Sequence, residues 1–514
     1  MAYAEKGDVD RAPHRPGGGA ESGTRPGYGA DLLAGEEVLH PETWAGGIPD
    51  IGGIAPRLRV GRDRWFNLLW LLPLVFVLLI TAVAAAKGLH NMPAVQSFMA
   101  RYPGTDVPAG PALGIPAWAA WAHFFNLFLM MFIIRSGIQI LVDHPRLYLT
   151  RDCTPGKEWL RVAKPVPRDR MWTAKDDSVG LPRQIGLPGI RHSIGLARWW
   201  HLGADMLWLV NGAVFYLLLF TTGQWRHLVP TSWDVFGNTV TVAIQYLSLD
   251  WPTDDSWAAY NGLQLLTYFS IVFIAAPLAV ITGLFMSPAL STRLSMISKR
   301  FNIQAVRSLH FLIMVGFVLF IVVHVTMVVT TDALRNFNHM FAARDDDGWV
   351  GFWVFAVAMT VTVICWVAAT PFTFRHPRVV QRVGFALIGP LQRLFEYADP
   401  KPGGYSEKDI SPYLWPNGTV PDSVEYKEMF AHDFVSWRLR VYGLVEHPVE
   451  LSLADLHALP YHEQITQHFC IQGWSGVAKW GGVSMQTIMD IVKPLPDAKW
   501  VVFYSLANGS GGGT

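Results

Sequence analysis

The sequence predicts a mainly α-helical membrane protein, with six transmembrane helices followed by a mixed α+β domain on one side of the bilayer. Three observations predict this. Of the 514 residues, 51% are hydrophobic and only 16% charged, with 22 Trp, too apolar a balance for an ordinary soluble domain. Six stretches reach the roughly 20 apolar residues that cross a hydrocarbon layer. Lys and Arg gather in alternate connections between those stretches, as membrane topology demands. Membrane lipid is therefore an expected partner. A net charge of +1 gives no footprint for nucleic acid, and none is expected.

Residues 1–56, with runs such as "HRPGGGAESGTRPGYG", are rich in Gly and Pro and have no apolar periodicity. They read as a flexible N-terminal tail without a signal-peptide pattern. The six candidate spans are Trp65 to Ala86, Trp118 to Leu141, Trp199 to Thr222, Gly262 to Met286, Ser308 to Thr330 and Trp349 to Thr370. Arg57, Arg59, Arg62 and Arg64 precede the first span, and eleven Lys and Arg residues fill the connection from Asp143 to Arg198. Arg293, Lys299, Arg300 and Arg307 lie between spans four and five, whereas the other connections are poor in basic residues. The positive-inside rule then makes both termini cytoplasmic in a multi-pass inner-membrane protein. The expected divisions are a transmembrane domain over 57–371, a linker over 372–404 and a cytoplasmic domain over 405–514.

Histidines inside the spans carry the first chemistry. An ionisable side chain within a bilayer is costly and marks function, and imidazole is a common ligand of haem iron. His310 and His324 stand fourteen residues apart in "RSLHFLIMVGFVLFIVVHVTM". Fourteen residues turn a helix through about 1400° and advance it roughly 21 Å, so the two share a face at two depths. Two haems stacked across the membrane need two more histidines, one at each depth. His201 opens span three on the inner side and His123 lies near the outer start of span two. Depth pairs His201 with His310 for an inner haem and His123 with His324 for an outer one. Gly137, fourteen residues after His123, is expected to leave room for a macrocycle. A histidine in a span is otherwise a hydrogen-bonded packing residue, or a proton relay in a transporter. Asp205, one turn after His201, is a candidate acceptor for its ring N–H. Arg135 reads either as a partner for an inner-haem carboxylate or as a snorkelling cation.

The segments "WAHFFNLFLMMFIIRSG", "RWWHLGADMLWLVNG" and "RSLHFLIMVGFVLFIVVHVTM" resemble core helices of the two-haem cytochrome b subunits of respiratory formate dehydrogenases and nickel-iron hydrogenases. The resemblance covers residues 115–330 and implies a four-helix di-haem bundle with two haem b groups.

In the C-terminal part, "WRLRVYGLVEHP" reads as a strand and turn, and "SLADLHAL" as a helix capped by Ser452 and Asp455. "EQITQHFCIQ" reads as a strand delivering Cys470 to a loop, "GWSGVAKWGGV". "SMQTIMDIV" reads as a helix and "WVVFYSL" as a further strand. The other cysteines, Cys153 and Cys365, are scattered, so neither a disulfide framework nor a four-cysteine iron-sulfur site is expected. A lone cysteine at a strand end is usually a buried small hydrophobe. The stretch around Cys470 nonetheless resembles the molybdenum-cofactor segment of the sulfite oxidase superfamily. Cys470, Trp474, Ser475, Val477 and Trp480 match the C-x-x-x-W-S-x-V-x-x-W spacing of its bacterial methionine sulfoxide reductase branch. The resemblance implies that the Cys470 thiolate is the catalytic molybdenum ligand, with Trp474 and Ser475 beside the cofactor. It also nominates Asn417, in "ISPYLWPNGTVP", for contact with the molybdopterin. Domains of this family continue beyond the equivalent of "SLANGSGGGT", so the sulfite-oxidase-like domain is expected to be incomplete here.

Together these readings predict an oxidoreductase that moves electrons between a cytoplasmic molybdenum site, acting on a small oxo-substrate of sulfite or sulfoxide type, and a membrane quinone through two haems. A partner subunit or a second copy is a further possible associate. The alternative is a cytochrome b anchor whose soluble domain only docks a partner.

Overall fold

The structure is a computed structural model that describes residues 55–504 and 506, apart from 62–63, 106–113, 168, 170–171, 189–192, 252–255, 288–301, 397–403, 417–420 and 422. The N-terminal tail and Asn417 thus lie outside the described residues. The chain divides into a larger unit, residues 41–417 and 467–478, and a smaller one that includes 418–466 and 479–512.

The larger unit begins with strands β1 (Arg57–Arg59) and β2 (Trp65–Asn67). Helix α1 (Leu68–His90) follows, then a short α2 (Pro93–Arg101) and the long α3 (Ala117–Asp143). Strands β3 (Arg146–Leu147) and β4 (Leu160–Arg161) complete an antiparallel sheet of order β2-β1-β4-β3. Next come α4 (Ile194–Thr221), α5 (Asp234–Ser248), α6 (Gly262–Phe285), α7 (Ile303–Thr331) and α8 (Val350–Arg375). Six of these helices, α1, α3, α4, α6, α7 and α8, are long and apolar enough to cross a membrane. They match the six expected stretches to within a few residues, and the chain is a multi-pass membrane protein. The sixth continues through Pro371, which the sequence reading took as its end. A proline removes one backbone donor and kinks a helix, yet neighbouring groups in a bundle can satisfy what it frees.

Residues 372–404 were expected to be a linker, yet Pro377–Glu396 forms a helix, α9. Its apolar residues recur at helical spacing among Arg378, Arg382 and Arg393, and Gly384 passes close to Trp199 of α4. A short amphipathic helix is easy to miss beside longer apolar runs.

The sheet side of the bundle is held by buried charge. Arg146 is 1% exposed; it donates from Nε and Nη2 to Asp177 at 2.9 and 2.7 Å and from Nη1 to Glu158 at 2.7 Å. Burial disfavours its charge, but the bonds to Asp177 and the charges of Asp177 and Glu158 outweigh this and hold its pKa above the usual arginine value.

In the smaller unit, α10 (Val424–Ala431) precedes the antiparallel pair β5 (Leu439–Val441) and β6 (Val449–Leu451). Helix α11 (Leu453–Ala458) carries the expected capping box of Ser452 and Asp455. Strands β7 (Tyr461–Phe469) and β8 (Ser475–Val483), whose ends nearest Cys470 belong to the larger unit's residues 467–478, pair with each other, and α12 (Met485–Val492) follows. Two expectations differ. The segment read as a loop after Cys470 is mostly β8, because a turn at Cys470–Gly473 sends the chain back along β7. The strand expected at "WVVFYSL" is absent: Val501 to Tyr504 take no regular structure and are exposed. Apolar alternation makes a strand only where a partner edge exists.

Candidate functional site

Four helices, α3, α4, α6 and α7, bring the predicted histidines together in the predicted couples. The ring centres of His201 and His310 lie 6.4 Å apart, and those of His123 and His324 lie 6.3 Å apart. A metal held by two imidazole nitrogens at about 2 Å from each would put the ring centres roughly 6 Å apart. Both couples fit that span. Among the described residues no three His, Cys, Asp or Glu side chains gather as a metal site, so the protein offers two ligands at each level. That donor set suits an iron whose other ligands come from a macrocycle.

Tautomers follow from the neighbours. His201 Nδ1 lies 3.0 Å from the Ile133 carbonyl, which can only accept, and 3.1 Å from Ser136 Oγ. Ser136 spends its proton on the Phe132 carbonyl at 2.7 Å. Nδ1 of His201 therefore carries the hydrogen, and Nε2 keeps the lone pair. His310 Nδ1 lies 2.8 Å from Thr282 Oγ1, whose own proton goes to the Leu278 carbonyl at 2.6 Å. Again Nδ1 donates and Nε2 is left for a metal, the arrangement in which a second bond fixes a ligand ring. At the other level Tyr268 Oη is 3.4 Å from His324 Nδ1, and Phe320 stacks on the His324 ring at 5.3 Å. Phe341 meets His123 edge-on at 5.9 Å. His123 Nδ1 is buried without a hydrogen-bond partner among the described residues.

Sequence reasoning found the four imidazoles and missed what orients them. Helix α6 was expected in the four-helix core but was given no site residue, yet Tyr268 and Thr282, fourteen residues apart, serve the two levels that His324 and His310 define on α7. The pairs Ser136-Gly137 and Thr282-Gly283 carry a legible signal: a hydroxyl that accepts from the imidazole, then a glycine that lets the ring approach. A Cβ on Gly137 would stand 3.2 Å from His201 Cε1, and one on Gly283 would stand 3.9 Å from His310 Cε1. Gly137 thus makes room for an imidazole, where a macrocycle was expected. Asp205 was expected to accept the N–H of His201; its carboxylate lies 3.6 Å from Nε2, the nitrogen without the hydrogen, while Ile133 and Ser136 serve Nδ1. Arg135 is committed elsewhere. It bonds the carbonyls of Trp366 and Arg183 and the Thr370 hydroxyl, and lies over the Trp366 ring at 4.3 Å.

Cys470 ends β7 in a tight turn. Gly473 N–H donates to the Cys470 carbonyl at 3.0 Å, and Cys470 N–H donates to the Trp474 carbonyl at 2.9 Å. Gly473 has φ +102°, a conformation that favours glycine. The thiol is 8% exposed among Tyr148, Cys153, Trp415 and Trp474. Burial pushes its pKa up, opposed by hydrogen bonding from the backbone of Gln472. The neighbouring Cys153 thiol is pushed up to about 12, mainly by burial. Ser475 accepts from Gln304 Nε2 at 2.9 Å and donates to the Arg151 carbonyl at 3.1 Å. Among the described residues, Trp474 Nε1, Tyr148 Oη and both ring nitrogens of His144 are buried without hydrogen-bond partners, and His144 Nδ1 lies 3.8 Å from the Asp177 carboxylate. A thiol packed against Tyr148 and Trp474, with no metal-ligand cluster among the described residues, fits a metal that brings its own organic ligand.

Residues 114–343 match the family described as prokaryotic cytochrome b561. Residues 426–513 match the oxidoreductase molybdopterin binding domain. Each match covers its own part of the chain, the first the membrane helices and the second the C-terminal part. The cytochrome match covers α3 to α7 and leaves out α1 and α8, as the four-helix reading expects. Among curated relatives, a putative protein-methionine-sulfoxide reductase subunit, YedZ1 of Azospira oryzae, is 45% identical over 71 residues, 14% of this chain and 27% of that protein. The protein-methionine-sulfoxide reductase catalytic subunit MsrP of Campylobacter jejuni is 32% identical over 75 residues, 15% of this chain and 25% of that one. The uncharacterized oxidoreductase YuiH of Bacillus subtilis is 34% identical over 77 residues, 15% of this chain and 39% of that one. The chain therefore spans between a quarter and two-fifths of these relatives. No solved structure matches it.

Proposed function

We propose that the protein is an inner-membrane oxidoreductase that exchanges electrons between a cytoplasmic molybdenum cofactor on Cys470 and the quinone pool through two haem b groups. One haem would be held by His201 and His310, the other by His123 and His324. The observation that carries this reading is the coupling of four imidazoles at two levels, with His201 and His310 each committing Nδ1 as a donor and keeping Nε2 for a metal. Bound haems supply one-electron transfer and the molybdenum cofactor supplies two-electron oxo-transfer. The chain's own residues bind and orient. Ile133, Ser136 and Thr282 fix the inner rings, while Phe320 and Phe341 pack against the outer pair. Trp415 and Trp474 shield the thiol, and Trp474 Nε1, Tyr148 and His144 present polar atoms to the cofactor. Ser475, bonded to Gln304, steadies the start of β8, and Asn417 completes the pterin contacts. The names of the relatives favour a sulfoxide over sulfite as the small oxo-substrate. The clustering of Lys and Arg supports cytoplasmic termini, and we keep the divisions 1–56, 57–371, 372–404 and 405–514 as part of this reading.

The buried thiol, its pKa raised, favours one second reading, in which the segment around Cys470 only docks a partner subunit and the chain is a cytochrome b anchor. Metal and haem quantification on protein from the complete gene separates the two. We expect two haems and one molybdenum per chain, with Cys470→Ser removing molybdenum and leaving the b-type absorbance bands. Iron without molybdenum in the unaltered protein would establish the anchor reading. A reduced-minus-oxidised spectrum without b-type bands would overturn both and return the histidines to proton relay.

A further inference from the structure

The carboxylates at the sheet end of the bundle are already spoken for. Asp177 and Glu158 hold Arg146, and Glu158 also lies 3.6 Å from Arg161, whose guanidinium covers the Trp65 ring at 3.8 Å. Arg135 is bonded to two carbonyls and a hydroxyl. Arg198 and Arg307 are two further guanidiniums at this end, and among the described residues neither forms an ion pair. Asp143, at the same end, lies beyond ion-pair distance of both. Each arginine stands three residues before an inner histidine, Arg198 before His201 on α4 and Arg307 before His310 on α7. Three residues return a helix to nearly the same face about 4.5 Å nearer its start. The two cations therefore flank the His201–His310 couple one turn toward the N-terminal ends of their helices.

Both also touch the Cys470 turn. Arg198 Nη1 donates to the Ile471 carbonyl at 2.8 Å. Arg307 packs on Gly473, where a Cβ would stand 3.2 Å from its Cζ. Its Nη1 and Nη2 donate to the carbonyls of Arg146 and His144, both at 2.8 Å. Those bonds fix the guanidinium and cancel none of its charge. Two fixed, half-buried cations that form no ion pair among the described residues, with the charge of Asp143 acting on Arg307 only from beyond that distance, are costly unless anions meet them. A haem b carries two carboxylates on one edge, and an arginine fork suits a carboxylate.

We propose that Arg198 and Arg307 receive the two carboxylate side arms of a haem bound between His201 and His310, and so join that haem's edge to the Cys470–Gly473 turn. This rests on the haem reading of the inner couple. Loss of either positive charge makes reduction of that haem harder and leaves the haem of the other level alone.

The test is an equilibrium redox titration of the full chain in detergent, followed at the b-type absorbance band, for the unaltered protein, Arg198→Gln and Arg307→Gln. His324→Ala in the same background identifies the inner component. We expect each Gln variant to lower the ferrous-to-ferric ratio of the inner haem at least tenfold at a fixed potential, which for one electron is a downward shift of about 59 mV. The outer haem should not move. Selective loss of the inner haem alone would also support the assignment. Two unmoved potentials with haem content intact would overturn it. Unmoved potentials with molybdenum lost would overturn it too, and would give the arginines to an anionic group of the other cofactor. If the Gln variants do not accumulate, Arg198→Lys and Arg307→Lys keep the charge without the fork. A smaller downward shift confined to the inner haem then supports the proposal, and no shift refutes it. Absence of b-type bands from the unaltered protein would instead sink the underlying haem reading.

Discussion

Replacing Thr282 by Val removes one hydroxyl and keeps the volume and branching of the side chain. His310 Nδ1 then loses the one oxygen that, among the described residues, accepts from it, 2.8 Å away. Losing one ordinary hydrogen bond costs about 1 kcal/mol, and leaving a buried N–H without a partner brings the cost to about 1–3 kcal/mol. Changes to the groups that orient a ligating histidine weaken metal binding about 10- to 100-fold, equivalent to about 1.4–2.7 kcal/mol. The two ranges overlap at about 2 kcal/mol, so Thr282→Val should loosen one haem roughly 30-fold. Ser136→Ala makes the comparison sharp. His201 Nδ1 retains the Ile133 carbonyl at 3.0 Å, so that change should cost under about 1 kcal/mol. Thr282→Ser keeps an acceptor and should restore most of the loss. The assay is haem content per chain, with thermal release of haem followed by absorbance in the three variants. Equal retention of both haems in Thr282→Val, or a larger loss in Ser136→Ala, would refute the claim that these oxygens fix the inner ligands.

Two further outcomes follow from the geometry. Gly473→Ala forces a left-handed backbone on a residue with a Cβ and sets that Cβ within 3.3 Å of three Arg307 side-chain atoms. It should destabilise the Cys470 turn by about 1–2 kcal/mol, seen as earlier thermal exposure of the buried Trp474 by fluorescence, and an unchanged melting profile would contradict this. Asp345 is bonded to Arg335 Nε at 2.7 Å and His339 Nε2 at 2.9 Å, and these partners hold its carboxyl at about 2. Because the folded value lies below the unfolded one of 3.8, the stabilisation is full above about pH 4 and fades as pH falls toward 2. The gap in melting temperature between the unaltered protein and Asp345→Asn should close over that window, and a constant gap would refute the assignment.

Much of this was legible because bilayer constraints write themselves plainly into sequence. A span needs a long apolar run, and a histidine inside one stands out against it, so six helices and four imidazoles could be placed from spacing alone. Ser136, Thr282 and Tyr268 were not legible as partners, since hydroxyl residues in spans commonly bond their own helix backbone. Thr282 does so and also accepts from His310. Only the crossing of α6 and α7 reveals the second contact. The six-residue π-helical segment Ser270–Ala275 within α6 also shifts the helical register between Tyr268 and Thr282, so no simple count along that helix predicts which faces meet.

The C-terminal part was less legible for a different reason. Its capping box at Ser452 and the helix at Met485–Val492 depend on local chemistry and were readable. The strand at Ser475–Val483 depends on what β7 offers as a partner, and the Cys470 site depends on residues hundreds of positions earlier. Cys153, Tyr148 and Gln304 line or tether that turn, and no spacing within the cysteine motif points to them.

Helix α7 explains why these distant parts form one site. Gln304 bonds the Gly473 carbonyl and the Ser475 hydroxyl, and Arg307 packs on Gly473. Ser308 donates to the Tyr148 carbonyl at 2.7 Å and accepts from Trp159 Nε1 at 2.9 Å. His310 then meets His201, and His324 meets His123. A helix rises about 1.5 Å per residue, so the cysteine turn, the first imidazole couple and the second are strung at fixed heights along a single rigid element. Gln304 and Arg307, which hold the cysteine turn, stand about 9 and 4.5 Å along α7 before His310, whereas about 21 Å of helix separates the couples. A substitution that shifts α7 along its axis would therefore disturb the Cys470 turn and both histidine levels together. A change confined to α3, α4 or α6 should disturb only the level that its own residues serve.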